Sequence, residues 1–172
     1  MRLLFSIDTK DYDINGIGVV RPSARSIIIK EGRIALVHSQ KYHYYKFPGG
    51  GIEKHEAQED ALVRETLEEA GLKVIKESIK PYGYVHRIQK SAHGDCDYFL
   101  QDNFYYLCDI ENEIIIQTLD DYEADEGFEL VWMDPVEAIK ANREMDHGPK
   151  QHNMIERESR VLEILLEEGY FE

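Results

Sequence analysis

The spacing of apolar and polar positions divides the chain into strands near its start and middle and helices towards its end. Residues 17–20 and 25–29 are rich in β-branched side chains, and Glu31-Gly32 offers a turn before a further run at 34–37, which predicts a β-hairpin. An aromatic and basic stretch, residues 41–47, then runs into Pro48-Gly49-Gly50-Gly51, which reads as a loop. Residues 56–70 contain neither Gly nor Pro, are rich in Ala, Leu and Glu, carry acids in the first turn and meet Gly71 as a stop, so they predict a helix. Strand-like runs follow at 73–75, 82–88, 98–107 and 130–133. Asp134-Pro135 opens a helix to about Ala141, and Gly148-Pro149 precedes an amphipathic helix carrying Ile155, Leu162, Leu165 and Leu166. Strands, one helix, strands again and terminal helices, with no repeat or long linker, predict an α+β sandwich around a mixed β-sheet, a single domain over residues 1–172.

Composition narrows the partners. Thirty-four acids against 20 bases give a formal charge of −14 with histidine neutral, while 42% hydrophobic residues suffice for a core. Such a charge disfavours bulk nucleic acid and anionic membranes, so an anionic small molecule needs a metal ion or a local basic pocket. Cys96 and Cys108, twelve apart with no CxxC, fit packing in a reducing compartment better than a disulfide or zinc site. No apolar run reaches the roughly 20 residues of a spanning helix, and the first residues lack the features of a signal peptide. The expected location is cytoplasmic.

The central helix carries the candidate chemistry. At about 100° per residue, Glu65, Glu68 and Glu69 fall within an arc of about 100°, while Leu62, Val63, Thr66, Leu67 and Ala70 occupy much of the other side. On spacing alone a solvated acidic face accounts for this. The three consecutive glycines just upstream change the balance: they let carbonyl oxygens approach a cation, and oxygen-only ligation by carboxylate, carbonyl and water suits Mg²⁺ or Mn²⁺.

Gly50-Gly51-Ile52-Glu53-Lys54-His55-Glu56, seven residues, then Arg64-Glu65-Thr66-Leu67-Glu68-Glu69-Ala70-Gly71-Leu72 resembles the Nudix box, Gx5Ex7REUxEExGU with U a bulky apolar residue. Every fixed position matches; Thr66 departs from the aliphatic U. The Phe47-Pro48-Gly49 lead-in and the Trp132 strand extend the resemblance. It implies a Nudix-type α/β/α sandwich with the box as loop–helix–loop. The implied activity is that of a Mg²⁺-dependent hydrolase, with Mn²⁺ as the alternative ion, attacking phosphorus with water in a nucleoside diphosphate linked to a second group. It further implies Glu68 and Glu69 as metal ligands, Glu65 as ligand or general base, the Gly49 carbonyl as a further ligand, and Arg64 as the orienter of a carboxylate. Glu56 is expected to support the junction, and His55, where many members have Gly, to be a surface histidine. Members often add an acid from a loop before a late tryptophan strand; Glu126 best fits as both ligand and catalytic acid, with Glu123 and Glu129 as alternatives.

For the substrate, Arg25, Lys46 and Arg87 are candidates for phosphate oxygens, and Phe47 and Tyr84 for stacking on a base, although core packing competes for the aromatics because alternating Tyr82 and Tyr84 share one face of their strand. The stretch Arg87-Ile88-Gln89-Lys90 lacks the proline or tyrosine that marks ADP-ribose and dinucleoside polyphosphate hydrolases. Release of pyrophosphate from a nucleoside triphosphate is therefore the leading expectation. A nucleotide sugar is the second, and a non-catalytic nucleotide sensor the third, disfavoured because every box carboxylate is present. The apolar stripe of the last helix serves either its own sheet or a second copy in a homodimer.

Overall fold

The computed structural model describes residues 1–172 throughout. Its elements in chain order begin with β1 (Leu3–Asp8), β2 (Gly18–Val20), β3 (Ser23–Ile27), β4 (Ile29–Lys30), β5 (Arg33–Ser39), β6 (Tyr45–Lys46), β7 (Gly49–Gly51) and α1 (Gln58–Ala70). They continue with β8 (Leu72–Val74), a 3-10 turn at Lys76–Ser78, β9 (Lys80–Lys90), β10 (Tyr98–Leu107), β11 (Ile110–Ile114), α2 (Asp121–Glu126), β12 (Phe128–Met133), α3 (Pro135–Glu144) and α4 (His152–Glu167).

The larger sheet has the order β1-β9-β10-β3-β7, with β2 beside β10. It is mixed: β9 and β10 are antiparallel, as are β3 and β7, while β1 with β9 and β3 with β10 run parallel. A smaller sheet joins β12, β5 and β4, with β6 on β5, and β8 pairs with β11. Alternation along β3 and β10 sends Ala24 and Tyr106 to one face, where they meet Ala61 and Leu62 of α1. Tyr105 faces the other way and packs with Phe47, Val161, Leu162 and Leu165, the stripe of α4. The α+β sandwich expected from the element order is the one observed, and the stripe of α4 is spent on its own core.

Several local expectations are revised. The chain does turn at Glu31-Gly32 to pair β4 with β5, but β3 lies in the larger sheet and β4 in the smaller. The triple glycine is an edge strand: Ser23 pairs with Gly51, Ala24 with Gly50 and Arg25 with Gly49. Helix α1 begins at Gln58, because Glu56 turns back to accept from the Glu53 N–H at 2.8 Å and from Arg64. Thr66 is fully buried, and its hydroxyl donates to Ser26 Oγ at 3.1 Å, which satisfies the polar atom that an aliphatic residue would not bring. Strands β1 and β11 and helix α2 were not expected. Tyr82 and Tyr84 do not share a face: a bulge in the β9–β10 register sends Tyr82 into the α4-side core, while Tyr84 lies against Phe104 at 5.8 Å between ring centroids.

Helix α4 also carries a buried ion pair, Arg157 with Glu158, and Glu158 accepts from the Phe47 N–H at 2.9 Å. Burial alone would raise the Glu158 carboxyl; the Arg157 and Arg25 guanidiniums outweigh it and hold the group below its ordinary 4.5. A depressed carboxyl stabilises the fold above its unfolded pKa, and that contribution is lost as pH falls through the folded value. Glu158→Gln is expected to lower stability by about 3 kcal/mol at about pH 7, because a buried guanidinium loses its partner, and by far less at about pH 3. Urea melts of both proteins at the two pH values measure the difference; a gap independent of pH contradicts this account.

Candidate active site

The first half of the site is made where β7 meets the N-terminal part of α1. An ideal Cβ on Gly50 would lie 2.2 Å from Glu65 Oε2, so only glycine lets that carboxylate lie against the strand. At Gly49, φ is +141° and a Cβ would stand 2.2 Å from the Ala24 carbonyl oxygen, so here only glycine lets two strands approach. The added Cβ of Gly51 meets no close atom. Two of the three glycines thus have separate steric reasons.

Arg64 ties the parts together. Its Nε donates to Glu56 at 2.8 Å, Nη1 to Glu65 at 2.6 Å and to Glu68 at 3.3 Å, and Nη2 to the Gly51 carbonyl at 3.1 Å. The guanidinium holds Glu56 below the usual carboxylate range. Glu65 is raised, because burial outweighs the attraction of Arg64 and the nearby Glu68 adds repulsion. Glu69 is buried beneath them; it accepts from the Gly49 N–H at 3.0 Å and pairs with Lys46, whose ammonium also lies 4.9 Å from the Phe128 ring centroid. Burial pushes the Glu69 carboxyl up to about 7 against the pull of Lys46.

The second half comes from α2. Asp120 caps this short helix and Glu123 completes the box, accepting from the Asp120 N–H at 2.9 Å and from Tyr122 Oη at 3.0 Å. Between the halves lies a cleft of about 440 Å³, lined by Glu53, Glu65, Glu68, Asp120 and Glu123 against only Arg21 and Arg64 as full cations, with Gly50, Gly51, Ile52 and Tyr122 completing the wall. Five acids around two bases repel a phosphate unless a cation intervenes.

The remaining candidates lie elsewhere. Glu126 does not line the cleft: it is buried at the far end of α2, accepting from Ser39 Oγ at 3.1 Å and Tyr44 Oη at 2.8 Å and pairing with Lys150. Glu129 pairs with His38 at 3.0 Å and accepts from Gln40 at 2.9 Å. Phe47 has no exposed surface, its ring standing edge-on to Tyr105, so it cannot stack on a ligand. Arg25 is buried on the α4 side of the sheet and donates to the Phe47 carbonyl at 3.3 Å, away from the cleft. Tyr84 is half-buried on Phe104 and does not line the cleft. His55 is exposed with φ of +69°, the left-handed conformation that suits glycine at that position. Glu123, a secondary alternative in the sequence, was legible through the D-x-x-E spacing of a capping box, Asp120 to Glu123.

The donor set suits a hard divalent cation: Glu65, Glu68 and Glu123 offer carboxylate oxygens, and the bare Gly50 backbone lets the Glu65 carboxylate lie close against the strand. No three of these side chains converge on one point: Glu65 and Glu68 are held by Arg64, and Glu123 accepts from the Asp120 N–H and Tyr122 Oη. An acid-lined cleft with oxygen donors at the edge of such a sandwich is suited to a divalent cation and, through it, to a phosphate-bearing ligand. The family model described as the NUDIX domain matches residues 20–156, and the chain belongs to that family. Its members are hydrolases that act on a nucleoside diphosphate linked to another group and generally use divalent metal ions. Among solved structures, the chain is similar to a NUDIX hydrolase from Nitrosomonas europaea, at 18% identity over 87% of this chain and 90% of that one, with a TM-score of 0.57. A MutT NUDIX hydrolase from Burkholderia pseudomallei shows 20% identity over 84% of this chain and 95% of its own, with a TM-score of 0.54. At these identities the likeness is one of fold. No curated protein matches the chain by sequence.

Proposed function

We propose that the protein is a Mg²⁺-dependent hydrolase that releases pyrophosphate from a nucleoside triphosphate by attack of water on phosphorus. The observation that carries this reading is the acid-lined cleft between β7, α1 and α2, to which α1 contributes Glu65 and Glu68 and α2 contributes Glu123. A divalent ion bound there neutralises the polyphosphate, aligns it and lowers the pKa of water. In this reading Glu68 and Glu123 are ligands from opposite walls, and the Gly49 carbonyl and Glu69 lie behind them. Glu69 would help to hold the ion once freed from its ammonium partner Lys46. Glu65, lifted by burial and oriented by Arg64, accepts the proton from the attacking water. Arg21, which lines the cleft near Gly51, meets phosphate oxygens in this reading. Two free cysteines fit a cytoplasmic location, and no helix is long and apolar enough to cross a membrane.

The test is a panel of nucleoside triphosphates, nucleotide sugars and other diphosphates with Mg²⁺ or Mn²⁺, products identified. Nucleoside monophosphate and pyrophosphate are expected; turnover confined to nucleotide sugars moves the substrate, and turnover of none refutes the proposal. A paired substitution checks the second wall. Glu123→Gln is expected to cut turnover about 100-fold. Glu126→Gln should mainly cost stability, about 1–3 kcal/mol, since it removes the buried partner of Lys150. The reverse ranking returns the catalytic acid to Glu126.

A further inference from the structure

On the α4 side of the large sheet, three guanidiniums are buried around a single carboxylate. Arg157 pairs with Glu158 and donates to Asn103 at 2.7 Å and Gln101 at 3.2 Å. Arg25 reaches only the Phe47 carbonyl, and Arg87, 5% exposed, has one long contact, from Nη2 to Gln151 Oε1 at 3.5 Å. Arg87 Nε and Nη1 have no partner at all. A buried unpartnered donor is costly, and an unpaired buried charge more so, which makes it a marker for an absent ion or water. Burial and the repulsion of Arg157 and Arg25 press the Arg87 guanidinium down to about 9, the signature of a charge in want of a counter-ion.

Arg87 lines a cavity of about 120 Å³ with Gln89, Ala92, His93, Phe99 and Gln151. Its guanidinium lies 5.3 Å from the Phe99 ring centroid. Gln151 is the N-cap of α4 and supplies no side-chain cap, so the positive end of a 16-residue helix opens towards the same place. Through Gln89, Ala92 and Gln151 the cavity adjoins a second, which adds Lys90, His152 and Asn153. The one carboxylate there is Asp11, occupied by the Lys90 N–H and by Thr9. Asn153 Oδ1 is also unpartnered, so a complementary ligand offers one donor besides its acceptors.

We propose that this cavity is a binding site for a compact oxyanion, a phosphate group in its hydrogen-phosphate form, held by Arg87 and the N-terminus of α4. Phosphate oxygens meet unpartnered N–H groups of Arg87, the Gln89 and Gln151 amides orient the group, and its P–OH can donate to Asn153. None of the cavity's residues lines the acidic cleft, so the site is separate from the proposed metal chemistry. It gives this strongly acidic chain a basic pocket in which a phosphate needs no metal ion.

The test is thermal unfolding in chelator with inorganic phosphate as the probe, on the wild-type chain and on Gln151→Glu. Gln151 is exposed, so the substitution spares the fold, and the new carboxylate reaches Arg87 and the helix end itself. Wild type should rise by about 3 °C or more at a phosphate concentration about ten times its Kd. Gln151→Glu should melt higher than wild type without phosphate and gain nothing from it. No rise in wild type, or an equal rise in both, overturns the proposal, the second being the general effect of a strongly hydrated salt. Kinetics then separate the sources of the anion. A KM raised in Gln151→Glu only for substrates with an extra phosphate places the group on the substrate, and an unchanged KM, with the phosphate shift present in wild type and absent in Gln151→Glu, assigns free phosphate. Because the melting test involves no turnover, its failure leaves the hydrolase proposal standing, and the converse holds.

Discussion

Exchanging Glu68 for Gln is expected to cut turnover by about 10²- to 10³-fold while leaving the melting temperature within about 2 °C of wild type. The amide is nearly isosteric, but it carries no charge with which to hold a divalent ion. Glu68 has a side chain 43% exposed and only a 3.3 Å contact with Arg64, so its loss removes little from the fold. Glu69→Gln differs in kind, because Glu69 is buried and partners both Lys46 and the Gly49 N–H; it should lose turnover and stability together. Steady-state rates, melting curves and calorimetric titration with Mg²⁺ and Mn²⁺ separate the two cases. Full activity in Glu68→Gln, with unchanged ion affinity, contradicts the placing of a cation in the cleft.

The neighbouring glycines give the second large effect. Gly49→Ala drives a methyl to within 2.2 Å of the Ala24 carbonyl oxygen and 2.7 Å of Arg25 Cα, at a φ that L residues rarely adopt. Backbone strain of about 1–3 kcal/mol and overpacking of similar size should lower the melting temperature by about 6–12 °C or prevent folding. Gly50→Ala collides instead with the Glu65 carboxylate, the far end of a flexible side chain. That side chain can swing away, so the fold should survive with a smaller loss while turnover falls about 100-fold with Glu65 displaced. The order of the two melting temperatures, measured beside the two rates, is the check. A Gly49→Ala chain as stable as wild type removes the steric account of β7.

Much of this site was legible along the chain because its signals are local. The α1 pattern, the Gly71 stop and the Asp134-Pro135 opening each involve residues within a turn or two of one another, and each marks an element of the structure, α1 starting two residues later than its pattern. The carboxylates of α1 share a face for the same reason. Misassignments arose where a side chain's partner is distant in sequence. Glu126 and Glu123 are both acids ahead of Trp132, and nothing nearby says which faces α1; Ser39, 87 residues away, and Lys150, 24 away, draw Glu126 inward. Phe47 and Arg25 have the right chemistry for a ligand, but β3 and the link between β6 and β7 turn them towards α4. Tyr82 and Tyr84 were assigned one face by their spacing, and a bulge set by pairing with β10 separated them.

By itself, then, the sequence determined the helix, its caps, the order of most strands and helices, and the acids and glycines of the candidate site. Those follow from backbone preferences and from the geometry of one helical turn, which neighbouring residues impose on each other. The tertiary structure decided which of the late acids joins the cleft, that three glycines make a strand edge, and that Arg87 lies buried without a counter-charge. These outcomes depend on which surfaces meet across the sandwich, and burial and hydrogen-bond partners exist only once they have met.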